Sequence, residues 1–250
     1  MSALLLVADP DHPDLEGITA VADRVAAVLP SVTVGIEQAA LAAAGHRDVA
    51  AVALMLGTAN YDPSILRVAL QQQFGGAQVS AARALGPHPL LVALAAERVE
   101  QALPGIGQAD VTVLVVGPGS LDPLANAEVA KFARLLTEGR AYRMVEVAYL
   151  RHATPTVRQG LDRCTALGAD RVVVLPYVVL GPTFAAAVAE QVVAGQAGGA
   201  GRAVTVAGPL GDSPQLTEVV VERFHETQHG DLRMNCDVCR YRTPALVDHV

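Results

Sequence analysis

Apolar positions along the chain fall into two recurring textures. Short runs rich in apolar residues, uninterrupted at Val113–Val116, lie at Ala3–Val7, Val32–Ile36, Val49–Leu56, Val79–Ala82, Val111–Val116, Arg143–Leu150, Arg171–Val179 and Ala203–Ala207. Runs of this kind suit strands buried on both faces, as in parallel sheets. Between them, apolar residues recur every three or four positions, which predicts amphipathic helices. The predicted helices cover Asp14–Val28, an alanine-rich stretch to Ala44, Ser64–Gln73, a segment after Leu85–Pro89 ending near Leu103, and Leu124–Leu136. Three more cover Thr154-Pro155 to Gly168, Phe184–Val193 and Pro214–Thr227.

The alternation restarts at Val113–Pro123, VLVVGPGSLDP, where a strand runs through a glycine loop into a helix opened by Asp122-Pro123. Much of the first half recurs after it. Leu85-Gly86 and Leu210-Gly211 stand 125 residues apart, and the same offset pairs Pro89 with Pro214, Glu97 with Glu222 and Arg98 with Arg223. Gly45 and Gly168 each precede an apolar run. The expected fold is therefore α/β, built as two tandem similar halves, each a parallel β-sheet flanked by helices in a Rossmann-like three-layer arrangement. A cleft between the halves is the expected ligand site. The predicted organisation is an N-terminal half over 1–104, a linker over 105–110, a C-terminal half over 111–227, and a polar tail over 228–250 with two cysteines.

Composition narrows the function classes. The 250 residues are 52% apolar and 17% charged, which fits a globular chain. Net charge is −7 with no basic stripe, so nucleic acid is not expected as a partner. The longest uncharged run, Val172–Ala189, is broken by Pro176 and Gly181-Pro182, which argues against a membrane span. MSALLLVADPD lacks the basic start of a signal peptide. Three cysteines are too few for a disulfide framework, and a cytoplasmic location is expected.

Candidate chemistry gathers in the loops that follow strands, where open α/β sheets bind ligands. Asp9, Asp11 and His12 share the first loop, and Glu37 ends the second strand. A carboxylate and an imidazole on one sheet edge can bind a divalent ion or move protons; helix capping is the plainer role for such residues. In GPGSLDP, Gly117, Gly119 and Ser120 offer backbone N–H groups at a helix N-terminus. The third glycine of a dinucleotide loop is absent, and Arg151 stands where an acidic ribose ligand is expected, so a nucleotide cofactor is not expected. In the tail, Cys236 and Cys239 form a CxxC within MNCDVCRYR. Two thiolates make half of a zinc or Fe–S ligand set, and a dimer sharing one cluster would complete it. The alternative is a reducible dithiol or an ordinary tail.

GPGSLDP, EVAYLRHATPTV, GADRVVVLPYVV, LGPHPLL and the tail MNCDVCRYR together resemble the class II chelatases of the sirohydrochlorin cobaltochelatase and ferrochelatase family, in its long form with two fused halves. The resemblance implies a chelatase-like fold and insertion of Co²⁺ or Fe²⁺ into a tetrapyrrole on the way to cobalamin or sirohaem. It also implies an Fe–S cluster at the tail, and the count of cysteine ligands there makes a homodimer the expected state. The family's metal-handling histidines are replaced here. Asp9 stands near the expected His of the first loop, Pro118 takes that place in the second half, and Asn60, in GTANYD, falls near the second His. Glu37 keeps the family's glutamate. On this reading His12 and Glu37 are the expected catalytic pair, with Asp9, Asn60, Gly117, Gly119 and Ser120 against the substrate. Three readings stay open: a chelatase with a rebuilt site, a non-catalytic tetrapyrrole- or metal-binding relative, and a scaffold recruited to different chemistry with the Cys pair as its working part.

Overall fold

The computed structural model describes residues 2–9, 13–36, 41–42, 44–57, 62–196 and 203–229. The first half runs β1 (Ser2–Val7), α1 (Leu15–Val28), β2 (Thr33–Gly35), β3 (Asp48–Ala53), α2 (Pro63–Gln73), β4 (Gln78–Ala81) and α3 (Pro89–Ala102). A 3₁₀ turn at Gln108–Asp110 leads to the second half. That half runs β5 (Thr112–Gly117), α4 (Pro123–Thr137), β6 (Met144–Tyr149), α5 (Val157–Ala166), β7 (Arg171–Pro176), α6 (Pro182–Gln196), β8 (Ala203–Val206) and α7 (Pro214–His229). The described strands form two four-stranded sheets, ordered β2-β1-β3-β4 and β6-β5-β7-β8, with every pairing parallel. The expected α/β architecture of two similar halves is what the chain adopts.

Side chains alternate faces along each strand, so each central strand feeds two cores. Leu4, Leu6, Ala50 and Val52 join Val113, Val115, Val173 and Leu175 in one core that spans both halves. The alternate residues Leu114, Val116, Val172 and Val174 pack outward with Phe184 and Val188 of α6 and Leu161 of α5. Ala3, Leu5, Val49 and Ala51 pack outward with Leu70 of α2. Unbroken apolar strands are thus used on both faces, at roughly 1.5–3 kcal/mol for each large side chain buried.

The halves are interlocked. α7 packs on β3 of the first sheet as well as on α1 and α3, while α3 packs on β7 of the second sheet and on α4. The sequence repeat reappears as paired geometry. Gly45 and Gly168 both take left-handed φ (67° and 79°), as do Gly86 and Gly211 (68° and 73°). Leu85 and Gly86 donate backbone N–H to the carbonyls of Met55 and Leu56, and Leu210 and Gly211 donate to those of Val178 and Val179. Arginines are exchanged between the halves: Arg98 Nε donates to the Leu210 carbonyl at 2.9 Å, and Arg223 Nη2 to the Leu85 carbonyl at 3.1 Å.

Three predicted boundaries are corrected. The strand expected over Arg171–Val179 ends at Pro176, which has no N–H to extend a ladder, and the chain turns there with Val178 N–H donating back to the Pro176 carbonyl at 3.0 Å. The strand expected over Val49–Leu56 likewise ends at Ala53. The helix expected from Thr154-Pro155 starts later, because Thr156 and Gln159 form a reciprocal capping box. Asp14, Asp62 and Asp122 cap α1, α2 and α4 through their side chains.

Tyr142, ahead of β6, is buried, and its hydroxyl has no hydrogen-bond partner among the described residues. Burial first, and then the Glu100 carboxylate, push its phenol up to about 12 from an ordinary 10.0. The folded state therefore favours the protonated phenol. That contribution is intact below pH 10 and is lost as pH rises from there toward 12. Tyr142→Phe removes an unpaired buried hydroxyl, so it is expected to leave stability unchanged or raise it by about 1 kcal/mol, and to remove part of the alkaline loss. Urea midpoints of both proteins at pH 8 and pH 11 check this.

Candidate functional site

In a 2-1-3-4 sheet order, the loops after the first and third strands diverge and leave a crevice at their carboxyl ends. Both sheets have that order, and their crevices open into one cleft. Its empty volume is about 520 Å³, solvent mouth included. The first half contributes Asp9 from the loop after β1 and Leu54–Gly57 from the end of β3. The second half contributes Pro118 and Gly119 after β5, Tyr177–Val179 after β7, and one face of α4. The walls are mainly apolar, with Met55, Leu56, Val178 and Val179 held by the four paired backbone bonds from the Leu85 and Leu210 turns.

The glycine loop is shaped by packing. A Cβ on Gly117 would meet Val129 Cγ2 at 2.7 Å, and one on Gly119 would fall 1.7 Å from the Arg151 carbonyl oxygen. The loop's amides are largely taken up locally. Ser120 N–H donates to Asn126 Oδ1 (2.9 Å), Asp122 N–H to Ser120 Oγ (3.0 Å) and Leu124 N–H to Asp122 Oδ1 (3.0 Å). Tyr149 O–H donates to the Asn126 carbonyl at 2.9 Å, and burial raises its phenol, keeping it a donor.

Of the residues singled out from sequence, Asp9 and Gly119 line the cleft, with Gly117 and Ser120 beside Gly119 on the same loop. His12, Glu37, Asn60, Cys236 and Cys239 lie outside the described residues. Among the described residues, no three His, Cys, Asp or Glu side chains converge to hold a metal ion.

Two polar groups were missed by the sequence reading. Tyr177 lines the cleft, its ring edge-on to Phe132 with centroids 5.1 Å apart. Glu128 lies half-buried on α4, and its Oε2 is 2.8 Å from where a Gly57 Cβ would stand. The signal for Glu128 was its register. It follows Ala125 by three residues and precedes Val129 and Phe132, a carboxylate on an otherwise apolar helix stripe.

Residues 112–227 match the sequence profile of the CbiX family. Across 226 residues the chain is 28% identical to a sirohydrochlorin cobaltochelatase of Priestia megaterium, covering 88% of this chain and 73% of that one. It is 30% identical over 146 residues to the chloroplastic sirohydrochlorin ferrochelatase of Arabidopsis thaliana, over 54% of this chain and 61% of that one. Among solved structures, SirB from Bacillus subtilis with Fe³⁺ superposes with a TM-score of 0.72 at 19% identity, covering 92% of this chain and 98% of that one. At that identity the likeness speaks for the fold.

Proposed function

We propose that this chain, of the CbiX family over residues 112–227 and chelatase-like in fold throughout, inserts Co²⁺ or Fe²⁺ into a sirohydrochlorin-type tetrapyrrole. The observation that carries the reading is the cleft itself, a largely apolar slot between two facing crevices with carboxylate and phenol groups at its walls. A flat macrocycle finds apolar contact with Met55, Leu56, Val178 and Val179. The metal ion is a substrate, and an oxygen donor such as Asp9 suits a labile divalent ion in transit. His12, Glu37 and Asn60 complete the set expected from sequence, and Gly117, Gly119 and Ser120 belong to the loop after β5.

The finer assignments rest on sequence. Cys236 and Cys239 hold two ligand positions of an Fe–S cluster, and a homodimer supplies the rest. Three cysteines fit a reducing, cytoplasmic compartment. No helix among the described residues is long and apolar enough to cross a membrane.

A second reading, a tetrapyrrole- or metal-binding relative without turnover, rests on the sequence: Asp9 and Pro118 stand where the family's first-loop His is expected. An anaerobic absorbance titration separates the two. With sirohydrochlorin and then Co²⁺, the metallated spectrum is expected to grow faster with protein than without. Shifted tetrapyrrole bands with metallation at the protein-free rate would establish the binding relative instead.

A further inference from the structure

We propose that Glu128 takes up a macrocycle proton as the metal ion enters, an assignment that rests on the chelatase reading above. Glu128 belongs to the second half, yet its carboxylate reaches the loop of the first. Its Oε2 stands 2.8 Å from the Cβ position of Gly57, and the Tyr177 hydroxyl stands 3.5 Å from that same point. Its helix neighbours Ala125, Asn126 and Val129 line the cleft, as does Gly57. The carboxylate therefore lies against Gly57, between the two halves and beside residues that line the cleft.

The internal repeat shows that this placement is not a by-product of the scaffold. Glu128 follows the N-cap Asp122 at the same distance as Ala20 follows the N-cap Asp14. Asp9 follows the end of β1 as Gly119 follows the end of β5. Tyr177 is the first residue after β7, and its counterpart after β3 is Leu54. Asp9 and Glu128 thus each stand at a position where the other half has no carboxylate. The polar groups break the symmetry that the backbone keeps.

Metal insertion breaks two pyrrole N–H bonds and forms metal–nitrogen bonds to both nitrogens. The ion stays divalent, and two protons leave, so no oxidant or reductant is needed. The Glu128 carboxylate accepts one of these protons, becomes a neutral acid and returns the proton to water. The other leaves through the open mouth of the cleft. Proton transfer by a placed side chain contributes about 10²–10⁴-fold to a rate. Gly57 serves this arrangement by leaving room for the carboxylate.

The test uses the full chain with sirohydrochlorin and Co²⁺ under anaerobic conditions, following tetrapyrrole binding and metallation separately. Glu128→Gln is expected to bind tetrapyrrole as the unaltered protein does and to metallate about 100-fold more slowly. Glu128→Asp is expected to recover part of the rate. Gly57→Ala keeps the carboxylate but displaces its flexible end, so it is expected to slow metallation while binding holds. Metallation by Glu128→Gln at the unaltered rate overturns this assignment and leaves the chelatase reading standing. Weakened binding with an unchanged rate per bound tetrapyrrole also overturns it. An unaltered protein that binds without metallating overturns both.

Discussion

Gly119→Ala is expected to be among the most damaging single-methyl changes in this protein, costing about 3–5 kcal/mol of stability. The added Cβ would sit 1.7 Å from the Arg151 carbonyl oxygen, 2.9 Å from its carbon and 3.2 Å from Tyr149 Cβ. The obstacle is backbone, and that backbone is tied down. Leu150 N–H donates to the Gly117 carbonyl at 2.9 Å and Arg151 N–H to the Pro118 carbonyl at 3.1 Å, continuing the β5–β6 ladder. Relief requires the cleft loop to leave the ladder. Gly119 also has φ at 75°, a left-handed conformation that costs a non-glycine residue about 1–2 kcal/mol. Gly139→Ala isolates that second cost, since Gly139 has φ at 69° and open space around its Cβ position. Urea unfolding of the two variants is expected to place Gly139→Ala about 1 kcal/mol below the unaltered protein and Gly119→Ala several times further. Equal losses would mean that the Arg151 contact is not a constraint. Tetrapyrrole binding is expected to fall with Gly119→Ala and to hold with Gly139→Ala.

Much of this architecture is legible in the sequence because it depends on local chemistry. Apolar runs bounded by turn residues mark strands, and Asp122-Pro123 marks a helix start. Gly45 and Gly168, or Gly86 and Gly211, mark turns that need left-handed backbone. The repeat makes the two-half plan visible. The interlock is not legible in the same way. Arg98 and Arg223 can be matched across the repeat, but their partners are backbone carbonyls of Leu210 and Leu85, and a carbonyl carries no residue signature. The site divides similarly. Asp9 is found because it follows a strand. Tyr177 enters the cleft from a strand cut short at Pro176, and Glu128 reaches Gly57 from a helix face, so their place depends on how the halves face each other. His12, Glu37 and Asn60 were singled out from the loops after strands and lie outside the described residues.

The interlock should also show an asymmetry between its charges: removing Glu226 is expected to cost more than removing Arg223. The Arg223 side chain is 2% exposed, and Nη1 donates to Glu226 Oε1 at 2.8 Å and Glu222 Oε1 at 2.9 Å. Glu226 also accepts both arms of Arg83, at 2.6 and 3.0 Å. One carboxylate therefore serves two guanidiniums from the two halves. Burial, and then the neighbouring Arg83 cation, hold the Arg223 guanidinium below its usual range, while Glu226 and Glu222 oppose that shift. With Glu226→Gln, two like charges face each other with only Glu222 left beside Arg223, and the arginine's Nε already lacks a partner among the described residues. A buried charge stripped of its partner costs about 3–5 kcal/mol. Arg223→Met instead removes the buried charge, keeps comparable apolar bulk, and leaves Glu226 paired with Arg83. Its main loss is the donor to the Leu85 carbonyl, about 1–3 kcal/mol. The double variant Glu226→Gln, Arg223→Met is expected to be more stable than Glu226→Gln alone, a coupling that denaturant unfolding measures directly. Additive losses in that cycle would show that the two side chains act independently and that the halves are held by their shared apolar core.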